Sequence, residues 1–256
     1  MASVFKYYAP TEYNLDALIR GYFWFSKREF LNDPYDLNAR ILEAFPEFKN
    51  LLEEYGYNVD RYYQTLNNFA LCSFTQSNNN QHFWSLYTDT FQGWCLEFDE
   101  DNLVDTASVG VPNVLYDVLY IDEYPDLNNP HTDITIRQFD NGDFVQTPII
   151  TLLTSEHERE KLFAYLLRVK QKETWEIEKE KRLILGNIYH LSHSANDKGN
   201  GYKIPWKQGA LRRIIMGSRL SKSNNIVLKH VAEQQNIELK VARPVLESRR
   251  FEIQID

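Results

Sequence analysis

Cysteine is nearly absent from this sequence. Cys72 and Cys95 are the only two in 256 residues, too few for a disulfide framework and too far apart for a CxxC metal or redox pair, as in proteins of a reducing compartment. Long apolar runs are missing as well. None approaches the ~20 residues that cross a bilayer, and Met1 to Lys6 lacks the apolar stretch of a secretory signal. A cytoplasmic protein with no membrane partner is therefore expected. Positive charge is in deficit, with a formal net charge of −8. Such a chain has no general attraction to phosphate backbones, so a nucleic acid would have to enter a local basic groove. The P-loop, the Rossmann glycine fingerprint and the G-x-S-x-G elbow are absent, as are internal repeats and low-complexity linkers.

Aromatic residues, by contrast, make up 14% of the chain, which supplies ample material for a packed core. Val4 to Tyr8 reads as a short strand ending at Ala9-Pro10. Thr11 then caps a helix to about Gly21, with Leu15, Leu18 and Ile19 as its apolar positions. Phe23 to Ser26 is a strand and Asn32-Asp33-Pro34 a turn. Residues 37–55 read as helix that Pro46 breaks or restarts. Cys72 to Phe74 is a strand entering an Asn-rich loop, and residues 81–88 form a short aromatic helix. Gly93 to Phe98 alternates as a strand with Trp94, Leu96 and Phe98 on one side. Strands and loops are expected from 105 to 148.

Ser155 and Glu158 have capping-box spacing and open a helix whose buried stripe is Leu162, Phe163, Leu166, Leu167 and Val169. Lys170 and Lys172 sit late, where they complement the helix dipole. A loop covers 190–203. After it come a strand at 212–216, a helix at 222–235 and a one-sided strand at 237–242 through Ile237, Leu239 and Val241. Arg250 to Gln254 is a last strand. The expected class is α+β, as one domain over 1–256, with an alternative boundary near residue 150.

The residues that invite chemistry lie in Trp175-Glu176-Ile177-Glu178-Lys179-Glu180-Lys181-Arg182. An extended segment puts Glu178, Glu180 and Arg182 on one face. Two carboxylates and a guanidinium there can bind sugar hydroxyls and stabilise an oxocarbenium-like charge. A helical segment makes Glu178 and Arg182 an i,i+4 pair on a solvated face. Asn32, Asp33 and Asp36 read either as a ligand-presenting loop or as an Asx-type turn. His82, Trp84 and Tyr87 are either rings that sandwich a nicotinamide or a base, or core residues. His190 and His193 have H-x-x-H spacing without a third ligand, so no metal is expected.

Taken in order, these segments resemble a bacterial family described as domain of unknown function 2971. The matching blocks are Phe5-Lys6-Tyr7, Phe25-Ser26, and Phe30-Leu31-Asn32-Asp33-Pro34-Tyr35-Asp36. They continue with Cys72-Ser73-Phe74, Phe83 to Asp89, and Gly93-Trp94-Cys95-Leu96-Glu97-Phe98. Val118 with Tyr120 follows, then Lys172, Trp175, Glu178, Glu180 and Arg182 in a K-x-x-W-x-x-E-x-E-x-R block, and Ile214-Ile215-Met216-Gly217. Phe83 stands where the family has Met, Thr88 where it has Ala, and the order Cys-Phe-Ser is permuted.

The arrangement is similar to that of ADP-ribosyltransferases, which implies a split, mostly antiparallel sheet with flanking helices and NAD as substrate. On that resemblance Glu180 is the catalytic residue that holds the ribose and stabilises the oxocarbenium ion, with Glu178 as its helper. Tyr7 on the first strand, Ser26 on the second, Asn32, Asp33 and Arg182 are implied at the dinucleotide. Trp84 or Tyr87 would stack on nicotinamide. The implied acceptor is a protein or nucleic acid, and the implied role is that of a toxin or phage-defence effector restrained by an antitoxin or chaperone partner. Two rivals remain. One is a metal-dependent nuclease or phosphoesterase with Asp33, Asp36, Glu178 and Glu180 around a divalent cation, against which Lys179 and Lys181 stand. The other is a non-enzymatic binding module.

Overall fold

β1 (Ser3–Tyr8), β2 (Tyr22–Lys27) and β3 (Ala70–Thr75) organise the site in a computed structural model of the protein. It describes residues 2–33, 35–36, 41–67, 69–105, 115–137, 144–185, 199–247 and 250–256. The further strands are β4 (Trp94–Asp99), β5 (Leu115–Asp117), β6 (Leu119–Ile121), β7 (Asp133–Arg137), β8 (Phe144–Pro148) and β9 (Val169–Gln171). After them come β10 (Glu180–Leu185), β11 (Gly201–Pro205), β12 (Leu211–Gly217), β13 (Glu238–Glu247) and β14 (Arg250–Ile255). Ten of these form one sheet, with order β11-β2-β3-β1-β4-β12-β13-β14 and β10 joining β3 to β5. Its pairs are antiparallel except β12 with β13, which the helix Lys222–Gln235 connects, as a parallel crossover requires. The class is thus α+β, with helices flanking a mostly antiparallel open sheet.

The sheet divides at β3. β10 pairs with β3 along its whole length, from Glu180 opposite Thr75 to Leu185 opposite Ala70. β1 and β2 therefore share the other edge of β3. β1 meets it at Phe5 opposite Thr75, and β2 at Ser26 opposite Leu71 and Lys27 opposite Ala70. Continued in register, the end of β1 and the start of β2 would both claim Cys72 to Phe74. Two strands cannot occupy one edge, so they splay and leave a cleft. The Lys6 ammonium crosses the gap and donates to the Ser73 carbonyl oxygen at 2.9 Å.

Local signals account for most elements. Thr11 Oγ1 accepts from the Asn14 amide at 3.2 Å, and Gly21 closes the helix Glu12–Arg20 in the left-handed region at φ 71. Ile19, assigned above to the apolar stripe of that helix, is instead 56% exposed. Pro46 starts a helix, Pro46–Glu54, as an N-terminal proline can because its missing N–H has no intrahelical partner there. Val59–Asn67 is a further helix beyond the elements expected from sequence; Asn58 opens it, its Oδ1 accepting from the Asp60 amide at 2.6 Å. Ser155 caps Glu156–Leu166 through the Glu158 amide. That helix ends four residues before Lys170, which lies buried on β9. Lys170 therefore does not complement its dipole, which is a correction to the sequence reading. The Pro34 turn position and the His190/His193 pair lie outside the described residues.

Trp94, Leu96 and Phe98 do share one face of β4 and enter a core with Phe23, Phe25, Phe74, Leu183 and Ile214. Cys95 faces the other way, against Trp84 and Phe91. A second cluster gathers Phe48, Leu52, Tyr62, Ile134, Leu152, Phe163 and Ile184. A boundary near residue 150 would cut through it.

Gly93, just before β4, lies hard against the end of β1, because a Cβ there would lie 1.9 Å from the Tyr8 carbonyl oxygen. Backbone cannot give way as a side-chain tip does. Gly93→Ala is expected to destabilise the fold by about 3 kcal/mol through forced separation of the strands. Urea unfolding measures it, and a loss under ~1 kcal/mol would show that β1 accommodates the methyl group.

Candidate functional site

The cleft has a volume of about 960 Å³ and is walled by Tyr7, Tyr8, Trp24, Ser26, Asn32, Phe83 and Tyr87, with Lys170, Glu178 and Glu180 among its lining residues. The carboxylates do not reach it by strand alternation. Glu178 ends the 3₁₀ turn Glu176–Glu178, and Lys179 is left-handed at φ 44. Only then does β10 begin, at Glu180. The extended E-x-E reading is corrected here, as is the helical one. A left-handed residue reverses the chain locally, and Glu178 is delivered to the same cation as Glu180. Thr75 Oγ1 donates to the Glu178 carbonyl oxygen at 2.7 Å and Asn80 Nδ2 to that of Ile177 at 2.9 Å. Those two bonds tie the turn to β3 and to the Asn-rich loop.

The shared cation is Lys170. Its ammonium donates to Glu180 Oε2 at 2.9 Å and to Glu178 Oε2 at 3.2 Å, and lies 3.9 Å from Asp36 Oδ2. The Trp175 ring covers it, with its centroid 4.0 Å from Nζ, a favourable place for a cation. Arg182 is 0% exposed. Its Nε donates to Glu180 Oε1 at 2.8 Å, Nη2 to Asp36 Oδ1 at 2.5 Å, and Nη1 to the Leu167 carbonyl oxygen at 2.8 Å. The i,i+4 pair of Glu178 with Arg182 is replaced by these partners. On the cleft side the Tyr87 hydroxyl donates to Glu178 Oε1 at 2.6 Å. A continuous chain of charge thus runs from Asp36, through Arg182, Glu180 and Lys170, to Glu178 and the open wall.

Burial works to raise the Glu180 carboxyl, but Arg182 and Lys170 beside it win and hold it at about 2. Burial dominates at Asp36 and pushes it up to about 6, even though Arg182 and Lys170 pull the other way. A guanidinium shared between two buried carboxylates cannot fully compensate both. Burial, together with the bond to Glu178, raises the Tyr87 phenol, which stays protonated as a donor. Burial also raises both thiols, so neither cysteine is an activated nucleophile.

Among the residues singled out from sequence, Tyr7, Ser26, Asn32, Tyr87, Glu178 and Glu180 meet at the cleft. The Tyr7 hydroxyl is spent on the Ser77 carbonyl oxygen at 3.0 Å. Trp84 does not line the cleft. It is fully buried, stacked on Phe91 at 5.5 Å, and supports the Tyr7 ring edge-on at 5.2 Å. Asp33 forms the Asx turn, accepting from the Tyr35 amide at 2.9 Å, and His82 is exposed on its helix. Arg182 does not line the cleft, and its hydrogen bonds go to Glu180, Asp36 and the Leu167 carbonyl oxygen.

The four carboxylates of the metal rival do not form an open cage. Asp33 is occupied in its turn, and the other three converge on an ammonium and a guanidinium. Sequence reasoning missed Lys170 as a site residue. Its one signal was the alternation Leu167-Arg168-Val169-Lys170, which is that of a strand. No family profile, curated protein or solved structure matches the chain.

Proposed function

We propose that this protein transfers ADP-ribose from NAD to a macromolecular acceptor, a protein or a nucleic acid. The observation that carries the reading is the pairing of Glu178 and Glu180 on Lys170 in the wall of an aromatic cleft of about 960 Å³. Ligand pockets run to roughly 300–1,000 Å³, so the cleft has room for a dinucleotide. Tyr7, Trp24, Phe83 and Tyr87 offer rings to nicotinamide or adenine. In the reaction the C1′–N bond to nicotinamide breaks and its electron pair leaves with the ring nitrogen. Positive charge then builds on the ribose, where a carboxylate stabilises it. The acceptor nucleophile bonds to C1′ and releases its proton to water. The resemblance of the sequence blocks supports an effector of toxin or phage-defence type, held in check by an antitoxin or chaperone.

The test is nicotinamide release from NAD by the purified protein, with lysate as acceptor and NAD labelled in the adenylate half. Release with label on protein or nucleic acid is the expected result. No release and no calorimetric NAD binding would sink the reading. A second reading, a binding module with a purely structural charge network, is favoured by the complete burial of Arg182. It predicts that NAD leaves the thermal midpoint unmoved.

A further inference from the structure

Resting on the transferase reading, the geometry points to Glu178, paired with Tyr87, as the carboxylate that meets the sugar, and to Glu180 as a positioning residue acting through Lys170. The two glutamates differ in what they have left to offer. A carboxylate presents about four lone-pair sites. Glu180 spends them on Arg182 Nε, Arg182 Nη2, Lys170 Nζ and a hydrogen bond with Ser73. Among the described residues Glu178 spends two, one per oxygen, on Tyr87 and Lys170. A group that must accept a ribose hydroxyl, or face a developing cation, needs an unspent lone pair directed into the cleft. Among the described residues Glu178 has an unspent site on each oxygen, and its side chain is the more exposed of the two, at 9% against 4% for Glu180.

Tyr87 lines the cleft beside Glu178 and fixes Oε1, while Lys170 fixes Oε2. Lys170 is in turn held by Glu180 at 2.9 Å and covered by Trp175. Glu180 thus sets the position of the ammonium, and the ammonium sets the rotamer of Glu178. This order of roles reverses the one that the E-x-E resemblance implies.

The experiment compares Glu178→Gln and Glu180→Gln for nicotinamide release, NAD affinity and thermal midpoint, with kcat and KM determined separately. Glu178→Gln is expected to lower kcat by about 10²–10³-fold, with NAD affinity and midpoint nearly unchanged. Glu180→Gln is expected to lower the midpoint by about 10 °C yet keep kcat within about tenfold of wild type where it is folded. Glu178→Gln thus loses kcat at an unchanged midpoint, a split that a merely structural role would not produce, whereas the main loss in Glu180→Gln is in the midpoint. If that variant fails to fold, Glu180→Asp, which keeps a charge for Arg182, is expected to retain turnover.

Loss of turnover in the Glu180 variants at an intact midpoint, with Glu178→Gln active, would overturn the assignment alone. A wild type that releases no nicotinamide overturns the transferase reading and this assignment with it.

Discussion

Arg182→Met is expected to cost about 3–5 kcal/mol of folding stability at pH 7, the range for stripping one partner from a buried ion network. Arg182 is the only described group bonded to both Asp36 and Glu180. Without it two buried carboxylates face Lys170 alone, at 3.9 and 2.9 Å, and the Leu167 carbonyl oxygen loses its donor. Methionine fills most of the volume, so the loss reports charge rather than a cavity. Stability of about 5–15 kcal/mol is typical of a folded protein, and the variant is therefore expected near its unfolding threshold.

Arg182→Lys keeps the charge but not the planar fork and should recover only part of the loss. Combining Arg182→Met with Glu180→Met should also recover part, since removing both partners is far less harmful than orphaning one. Urea unfolding of the four proteins decides the matter. A loss below ~1 kcal/mol in Arg182→Met would mean that water reaches the carboxylates and the network is not dry.

The second large effect is in pH dependence, where the two buried carboxyls act with opposite sign. Glu180 is held at about 2, below its ordinary 4.5. Its contribution to stability is present above pH 4.5 and is lost as pH falls toward 2. Asp36 is raised from 3.8 to about 6. Its contribution is present below pH 3.8 and is lost as pH rises through 6. Each displacement corresponds to about 3 kcal/mol.

The destabilisation caused by Glu180→Gln should therefore be largest above pH 4.5 and shrink by about 3 kcal/mol toward pH 2. For Asp36→Asn the trend reverses: the variant should gain about 3 kcal/mol relative to wild type between pH 3.5 and 7. Denaturant titrations at four or five pH values check both. Parallel profiles for wild type and Asp36→Asn would show that Asp36 ionises normally in the folded protein.

The caps at Thr11 and Ser155, the N-terminal Pro46 and the one-sided strand of Trp94, Leu96 and Phe98 were all legible in the sequence. Each rests on interactions between residues one to four positions apart, so local spacing is enough to declare them. The concentration of charge around Glu178 and Glu180 was legible for the same reason. How those residues are arranged was not. Spacing left a strand face and a helical i,i+4 pair both open, but the left-handed Lys179 interrupts either one and a turn brings the carboxylates together instead.

Lys170 read as the charged end of a helix because nothing local distinguishes a solvated lysine from one buried among three acids. Its meaning depends on Asp36, Trp175, Glu178 and Glu180 arriving together. Arg182 and Asp36 are separated by 146 positions, and no periodicity spans such a distance. The cleft has the same origin. It exists because β1 and β2 compete for one edge of β3, a conflict that appears only when distant strands pair. Sequence determined most of the strands, helices and turns, and which residue types carry charge. Tertiary structure alone decided which charges are buried together, which glutamate keeps free lone pairs, and where the sheet opens, because burial and long-range pairing are properties of the packed chain.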